Sequence, residues 1–181
     1  KALNDGAVLI DGQGSGLPIL LRRNDYFVIE GINAANSGAD VVSVYPGSDN
    51  NVIRRVVAWN AADGNTAVFA LWDNSNNLLE DIAGFGVGRK ILQAFLTNGA
   101  VVRRAWGMWN YSSASPSNTF TVAYGSYNNI FENVIATMDG DPGALSGWDY
   151  GLITANQMTG GANGPCSNTK VLGSIAYSLA N

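Results

Sequence analysis

The stretch from residue 84 to 90 places Arg89 beside Lys90 at a glycine-rich turn. A lysine next to an arginine has its pKa lowered by the like charge, which favours the neutral amine that can accept a proton near neutral pH. These residue types therefore predict a general base at this turn. The alternative is a basic pair that faces solvent and takes no part in chemistry.

Histidine is absent from the sequence, and Cys166 is its only cysteine. The missing imidazole removes the commonest general base and the commonest transition-metal ligand, so Ser-His-Asp and Cys-His mechanisms are excluded. A single cysteine cannot form an internal disulfide. Because Cys166 lies in a turn-rich stretch, we interpret it as an incidental small residue.

Two acidic residues, Asp63 and Asp73, are weak candidates for holding an oxygen-liganded cation such as calcium. Calcium requires several oxygens that converge on one point. Both residues also stand in Asp-Gly and Asp-Asn pairs, which are typical of turns that hydrogen-bond their own backbone. Calcium is therefore the only cofactor that the sequence suggests, and a plain turn is the alternative for each residue.

Aromatic residues near strand ends are a further candidate feature, and we predict Trp72, Trp109 and Tyr124 as substrate-binding residues. Exposed aromatic faces can stack on sugar rings along a groove. The alternative is that these large rings close the ends of a hydrophobic core.

A short apolar sequence motif recurs six times, and its spacing predicts the β-strands that position these residues. Its units begin at Val28, Val52, Leu78, Val101, Ile130 and Val171, at intervals of roughly 23–29 residues with a longer last interval. Each unit contains short β runs and turns without helical periodicity. The sequence therefore predicts an all-β fold, a single parallel β-helix of about seven coils that forms one domain over residues 1–181.

Alternation within the repeat assigns each position to a face of the coil. The predicted inward column is Ile29, Ile53, Leu79, Val102, Phe131 and Leu172. The next, outward position reads Glu30, Arg54, Glu80, Arg103 and Glu132, which alternate in sign. We expect Glu80 to pair with both Arg54 and Arg103. The strand then bends sharply, and the predicted bend residues are Gly31, Arg55, Asp81, Arg104, Asn133 and Ser174.

A second family of strands, including 67–72 and 91–96, precedes these units. Turns of variable length, such as 33–40 and 60–65, join the two families. Because each coil of a solenoid contacts only its neighbours, such turns accept insertions, and we expect a binding site beside them.

Units such as Asn129-Ile130-Phe131-Glu132-Asn133-Val134 resemble the right-handed parallel β-helix repeats of the pectate-lyase-like superfamily, over nearly the whole chain. Lyases of this kind are similar in using Arg or Lys as the base, with acidic residues that hold calcium near a uronate carboxylate. The resemblance implies a right-handed coil and a catalytic role for Arg89 and Lys90. The Asp-Asp pair and Gly-His-Gly segment of polygalacturonases are missing, which disfavours that hydrolysis.

Two functions follow as hypotheses. The first is an extracellular β-helix protein, secreted or at the cell surface, that binds polysaccharide or acts on it in a lyase-like way. The second is a non-catalytic adhesin, spike or filament subunit that stacks on itself, because neither end shows a capping segment and the chain would be a fragment or a stacking unit. Whether the protein is an enzyme is left open. The net charge of −4 without a basic stripe disfavours nucleic acid, and no apolar stretch is long enough to span a membrane.

Overall fold

The computed structural model describes residues 2–109, 118–139, 151–155 and 164–178. The regular elements of these ranges are all β-strands. They are β1 (Val8–Asp11), β2 (Ile19–Leu21), β3 (Val28–Glu30), β4 (Ile32–Ala35), β5 (Val42–Val44), β6 (Val52–Trp59), β7 (Ala67–Trp72), β8 (Leu78–Gly86), β9 (Lys90–Phe95), β10 (Val101–Trp109), β11 (Asn118–Ala123), β12 (Ile130–Glu132), β13 (Ile135–Met138), β14 (Gly151–Ala155), β15 (Lys170–Leu172) and β16 (Ile175–Ser178).

The strands form two parallel sheets. Sheet 1 runs in the order β1-β4-β6-β8-β10-β12-β15, with β3, β13 and β16 paired alongside, and sheet 2 runs in the order β2-β5-β7-β9-β11-β14. Successive strands of each sheet belong to successive coils, so the chain is the predicted parallel β-solenoid. It has about five turns rather than the seven expected.

One inward column of sheet 1 consists of small residues, namely Ala34, Ala58, Gly84, Gly107 and Ala136. Sheet 1 places Gly84 opposite Gly107 in register, and both lie under residues of sheet 2. A Cβ atom at Gly107 would stand 2.7 Å from the Phe120 ring and 2.9 Å from the Thr119 methyl group. The absence of side chains at these positions therefore allows the two sheets to approach each other closely.

The predicted inward column is confirmed over five members and wrong at the sixth. Ile29, Ile53, Leu79, Val102 and Phe131 are partners in successive strand pairs. Phe131 then pairs with Val171, while Leu172 pairs with Glu132. The prediction aligns Leu172 with Phe131 because both residues are apolar, which places the last repeat one residue out of register.

The bend explains that displacement. Arg55, Asp81, Arg104 and Asn133 all adopt the left-handed backbone, with φ between 50° and 53°. In the last coil this conformation falls on Gly173, with φ of 57°, and not on the predicted Ser174. Glycine adopts this conformation without steric cost, so its position sets the register more strongly than the preceding apolar residue does.

The outward charged positions pair in a different way from the one expected. Arg103 and Arg104 both donate to Oε1 of Glu80, at 2.6 and 2.5 Å. Arg54 contacts Glu30 at 3.1 Å instead of Glu80. The expected bond between Glu80 and Arg54 is therefore wrong, because each buried glutamate is occupied by two arginines from the coil that follows it. Sequence reasoning had assigned Arg104 only to the bend, and its role as the second donor was missed.

Replacing Glu80 by glutamine should destabilise the fold by about 1–2 kcal/mol, because a buried carboxylate that accepts from two guanidinium groups is lost. Burial raises the pKa of Glu80, but hydrogen bonds from Arg104 and Arg103 outweigh it, so the pKa lies below its ordinary 4.5. The stabilisation is thus fully present above that value and is lost as pH falls through the lowered pKa.

Urea unfolding at pH 7 and at pH 3 measures both effects. The difference in the free energy of unfolding between the wild type and Glu80→Gln should be smaller at pH 3. Glu132→Gln is the matched control, because among the described residues the Glu132 carboxylate forms no ion pair. Equal losses in the two variants at pH 7 would show that the carboxylate of Glu80 has no special role.

Candidate functional site

A cavity of about 330 Å³ lies on the outer face of sheet 2, and we call it the cleft. Trp72, Tyr124, Arg89 and Lys90, four of the residues predicted from the sequence, line it together. Lys90 begins β9 and Trp72 ends β7, so the cleft extends along the strands from a basic end to an aromatic end. Between these ends, Gln93 and Thr121 provide polar groups on the floor.

Four aromatic rings, one from each of four successive coils, form the aromatic end of the cleft. Tyr45 and Trp72 have ring centroids 5.7 Å apart, Trp72 and Phe95 5.5 Å, and Phe95 and Tyr124 4.3 Å. We call this row the aromatic ridge. Trp72 keeps 43% of its surface exposed, so its ring can still be contacted by a ligand.

Tyr124 reaches the ridge through an unusual backbone conformation. The strand partner of Phe95 is Ala123, and Tyr124 follows it with φ of 56°. Leu96, the residue after Phe95 in the preceding coil, has φ of 55°. Asp73, the residue after β7, has φ of 49°, so the left-handed bend after these strands is a repeated feature of the coil.

Lys90 has the lowered pKa that the sequence predicts, although the larger cause was not foreseen. Burial lowers the pKa of Lys90 to about 8, the charge of Arg89 lowers it further, and Asp40 acts in the opposite direction. A lysine with this pKa exists in both protonation states near neutral pH. It can therefore bind an anion when it is protonated and accept a proton when it is neutral.

Asn65 lies between the two cations. Its Oδ1 accepts a hydrogen bond from Lys90 Nζ at 2.9 Å and from Arg89 Nη1 at 3.2 Å. Asn65 belongs to the variable turn between β6 and β7, one coil before the basic pair. The turn therefore fixes the two side chains at the entrance of the cleft.

Asp40 supplies the acidic group of the cleft, and neighbouring donors occupy both of its oxygens. Oδ1 accepts from the Ala67 N–H at 2.7 Å and Oδ2 accepts from the Tyr45 hydroxyl at 2.9 Å. Burial raises the pKa of Asp40, against the lowering effects of these hydrogen bonds and of Lys90. Burial and the adjacent carboxylate raise the pKa of Tyr45 to about 12.

Trp109, the third predicted aromatic residue, is not in the cleft. Its side chain is fully buried at the end of β10, and its indole Nε1 donates to the Gly88 carbonyl oxygen at 3.0 Å. The ring thus closes the end of the core, which is the alternative that the sequence left open.

The two candidate cation ligands lie apart from each other. Asp63 is exposed in the turn that also carries Asn65. Asp73 lines a separate hollow of about 390 Å³ with Asp49 and Tyr127. Within the ranges that the structure describes, no three His, Cys, Asp or Glu residues are grouped so that they could hold a metal ion.

Sequence reasoning missed several residues of the cleft, chiefly Asp40, Tyr45, Asn65 and Phe95. A signal for two of them is present in the sequence. Val-Ser-Val-Tyr, Phe-Ala-Leu-Trp and Leu-Gln-Ala-Phe align as one repeat of the second strand family, with an aromatic residue at the end of each. Asn65 and Asp40 lie in turns of variable length, where no such alignment exists.

Comparison with known proteins yields no relative. No family model matches the chain, and neither a curated protein nor a solved structure is significantly similar to it. In the part of the chain that the structure describes, no helix is long and apolar enough to cross a membrane. Fold and site together define the class, a parallel β-solenoid with an aromatic and basic cleft on its outer face.

Proposed function

We propose that this chain is an extracellular β-solenoid, secreted or displayed at the cell surface, that binds acidic polysaccharide in the cleft. The observation that carries the proposal is the meeting of the aromatic ridge with Arg89 and Lys90 in one cavity. Aromatic rings provide apolar area for the faces of sugar rings, and cations at the far end provide partners for carboxylate or sulfate groups.

The size and direction of the cleft support this assignment. Its volume of about 330 Å³ lies at the lower end of the range for ligand sites, roughly 300–1,000 Å³. Because the ridge takes one ring from each coil, it extends along the solenoid axis, perpendicular to the strands. A glycan that contacts both the ridge and the basic pair must therefore lie along the strands, from the aromatic end of the cleft to its basic end.

Another row of aromatic rings, on sheet 1, does not offer the same surface. Trp59 and Phe85 are stacked with an interplanar angle of 2° and centroids 5.7 Å apart. Trp106 lies beside Phe85 at 6.1 Å. Trp59 and Phe85 cover each other's faces, which leaves mainly ring edges for a ligand. The ridge in the cleft is different, because Trp72 stands at 78° to Tyr45 and at 71° to Phe95.

A lyase-like reaction is the catalytic form of the same proposal, in line with the resemblance to the pectate-lyase-like superfamily. The neutral amine of Lys90 would take the proton from the carbon next to a uronate carboxylate, while Arg89 holds that carboxylate. The electron pair of the broken C–H bond forms a C=C bond to the neighbouring carbon, which carries the glycosidic oxygen. That oxygen leaves with the electron pair of its C–O bond and is protonated by water. Binding without turnover requires only the cations and the ridge.

Trp72→Ala should weaken binding of an acidic oligosaccharide at least ten-fold, because it removes the most exposed ring of the ridge. Isothermal titration with an oligogalacturonate of several residues measures the change. Tyr177→Ala is the control, since Tyr177 is similarly exposed, at 46%, and lies on β16 outside the cleft. Equal affinities of the Trp72 variant and the wild-type protein would contradict the assignment of the ridge.

A stacking structural protein is the second candidate, and exposed apolar residues on the outermost coils favour it. Val8 and Leu9 on β1 are 44% and 49% exposed, and Val171 and Ile175 at the other end are 48% and 55% exposed. Such strands can pair with a further coil. Native mass spectrometry over a hundred-fold range of concentration tests this role, which requires oligomers that grow with concentration.

A further inference from the structure

The hydrogen bond acceptor between the two cations of the cleft is uncharged. The amide oxygen of Asn65 accepts from both Arg89 and Lys90. An amide can hold two donors in place through its oxygen without removing their positive charge. A carboxylate in the same position would form two ion pairs and neutralise one of the two positive charges.

No carboxylate of the described residues takes on that role. Every ion pair in these ranges is made by Arg54, Arg55, Arg103 or Arg104. Asp40 lies in the cleft, but its two oxygens accept from the Ala67 N–H and the Tyr45 hydroxyl. The two cations are therefore gathered without an ion-pair partner in this part of the chain.

One guanidinium donor remains to be satisfied. The Nε atom of Arg89 is buried and has no hydrogen bond partner among the described residues. A buried charged donor without an acceptor is costly. An anionic group in the cleft would face both the Arg89 guanidinium and Lys90 Nζ, since both side chains line the cavity.

We propose that Asn65 is the positioning residue that sets the charge preference of the cleft, holding Arg89 and Lys90 together so that they select an anionic sugar over its neutral counterpart. This inference rests on the proposed function, since it names what determines the ligand class at the same site.

The experiment compares the wild-type protein with Asn65→Asp and Asn65→Ala. The ligands are an oligogalacturonate and its methyl ester, which share one backbone and differ in charge. The wild type should prefer the acid at least ten-fold. Asn65→Asp should reduce this preference to about three-fold or less, because the new carboxylate neutralises one of the two positive charges. Asn65→Ala should reduce the preference as well, because Arg89 and Lys90 are no longer held together by the amide oxygen.

The matched control is Asn76→Asp, which makes the same change of charge at an exposed asparagine that is hydrogen-bonded to Asn50 on another side of the coil. It should retain the wild-type preference. A further readout does not depend on the ligand. The chain has three lysines, Lys1, Lys90 and Lys170, so their Cε signals can be titrated separately by NMR. Asn65→Asp should raise the pKa of Lys90 by at least one unit, and Asn76→Asp should leave it unchanged.

Each outcome decides between the inference and the proposed function. A preference for the acid that survives unchanged in Asn65→Asp or in Asn65→Ala would overturn the role of Asn65 and leave the proposed function intact. Equal binding of acid and ester by the wild type would show that the cleft has no charge preference. It would overturn the inference about Asn65 and leave polysaccharide binding by the cleft in place. If neither ligand binds, the result counts against the proposed function and against the charge preference that rests on it. An unchanged pKa of Lys90 in Asn65→Asp would overturn the contact between Asn65 and Lys90 independently of any ligand.

Discussion

Replacing Arg89 and Lys90 together by alanine is expected to reduce affinity for an acidic oligosaccharide at least a hundred-fold. Both side chains line the cleft, and in the described residues neither forms an ion pair that could substitute for the ligand. The melting temperature should not fall, since burial already disfavours the charged form of Lys90 and its removal takes away a desolvated cation.

The control for this variant is the double substitution Arg23→Ala, Lys170→Ala, which removes the same charge from two exposed positions outside the cleft. Its affinity should stay within about three-fold of wild type at 150 mM salt, because exposed charges beyond a Debye length of about 8 Å are screened. If both double variants lose affinity equally, general electrostatic attraction explains binding and the cleft does not.

Because the pKa of Lys90 is about 8, ligand binding and lyase turnover should depend on pH in opposite directions around that value. Binding of an anion should weaken as pH rises through that value, because the amine loses its charge. Lyase turnover should show a rising limb over the same range, because the neutral amine is the base.

A valine at position 107 should destabilise the protein by about 3 kcal/mol or more, because overpacking a close-packed core forces backbone shifts. Three atoms already lie within 3.0 Å of the position that a Cβ would occupy, two on the Phe120 ring and one on Thr119. Urea unfolding followed by circular dichroism measures the loss. Ala83→Val, at a half-buried outward position of β8, should change stability by less than about 1 kcal/mol.

Combining Gly107→Ala with Phe120→Leu provides the complementary check. The smaller leucine leaves room for the added methyl group, so the double variant should be more stable than Gly107→Ala alone. A Gly107→Val protein as stable as wild type would show that the sheets are not held at the close distance described.

The fold was largely predictable because the repeat encodes it directly. Ile53, Leu79 and Val102 occupy equivalent positions in successive units, and parallel in-register pairing follows from that equivalence. The register of the last coil was predicted wrongly because Leu172 and Gly173 indicate different registers. Apolar character favoured one register and the left-handed backbone required the other, and the backbone requirement decided the outcome.

The candidate site was predictable only in part. Arg89, Lys90, Trp72 and Tyr124 were selected by residue type, and the stacking of coils brings them together. Trp109 was selected for the same reason but lies in the core, because alternation along β10 places it on the same buried face as Ala105 and Gly107. Asn65 was not found because its importance depends on a distance across coils, from its Oδ1 to Lys90 Nζ, which no local pattern encodes.

The central claim is that the cleft binds acidic polysaccharide, and titration of the tryptophan indole signals tests it most directly. The chain contains five tryptophans, and an oligogalacturonate added to ¹⁵N-labelled protein reports on each of them by NMR. We expect the Trp72 signal to shift and saturate, with little change at Trp59, on the other sheet, or at Trp109, in the core. A saturating shift at Trp59 with Trp72 unmoved, or no shift with any acidic glycan, would contradict the account.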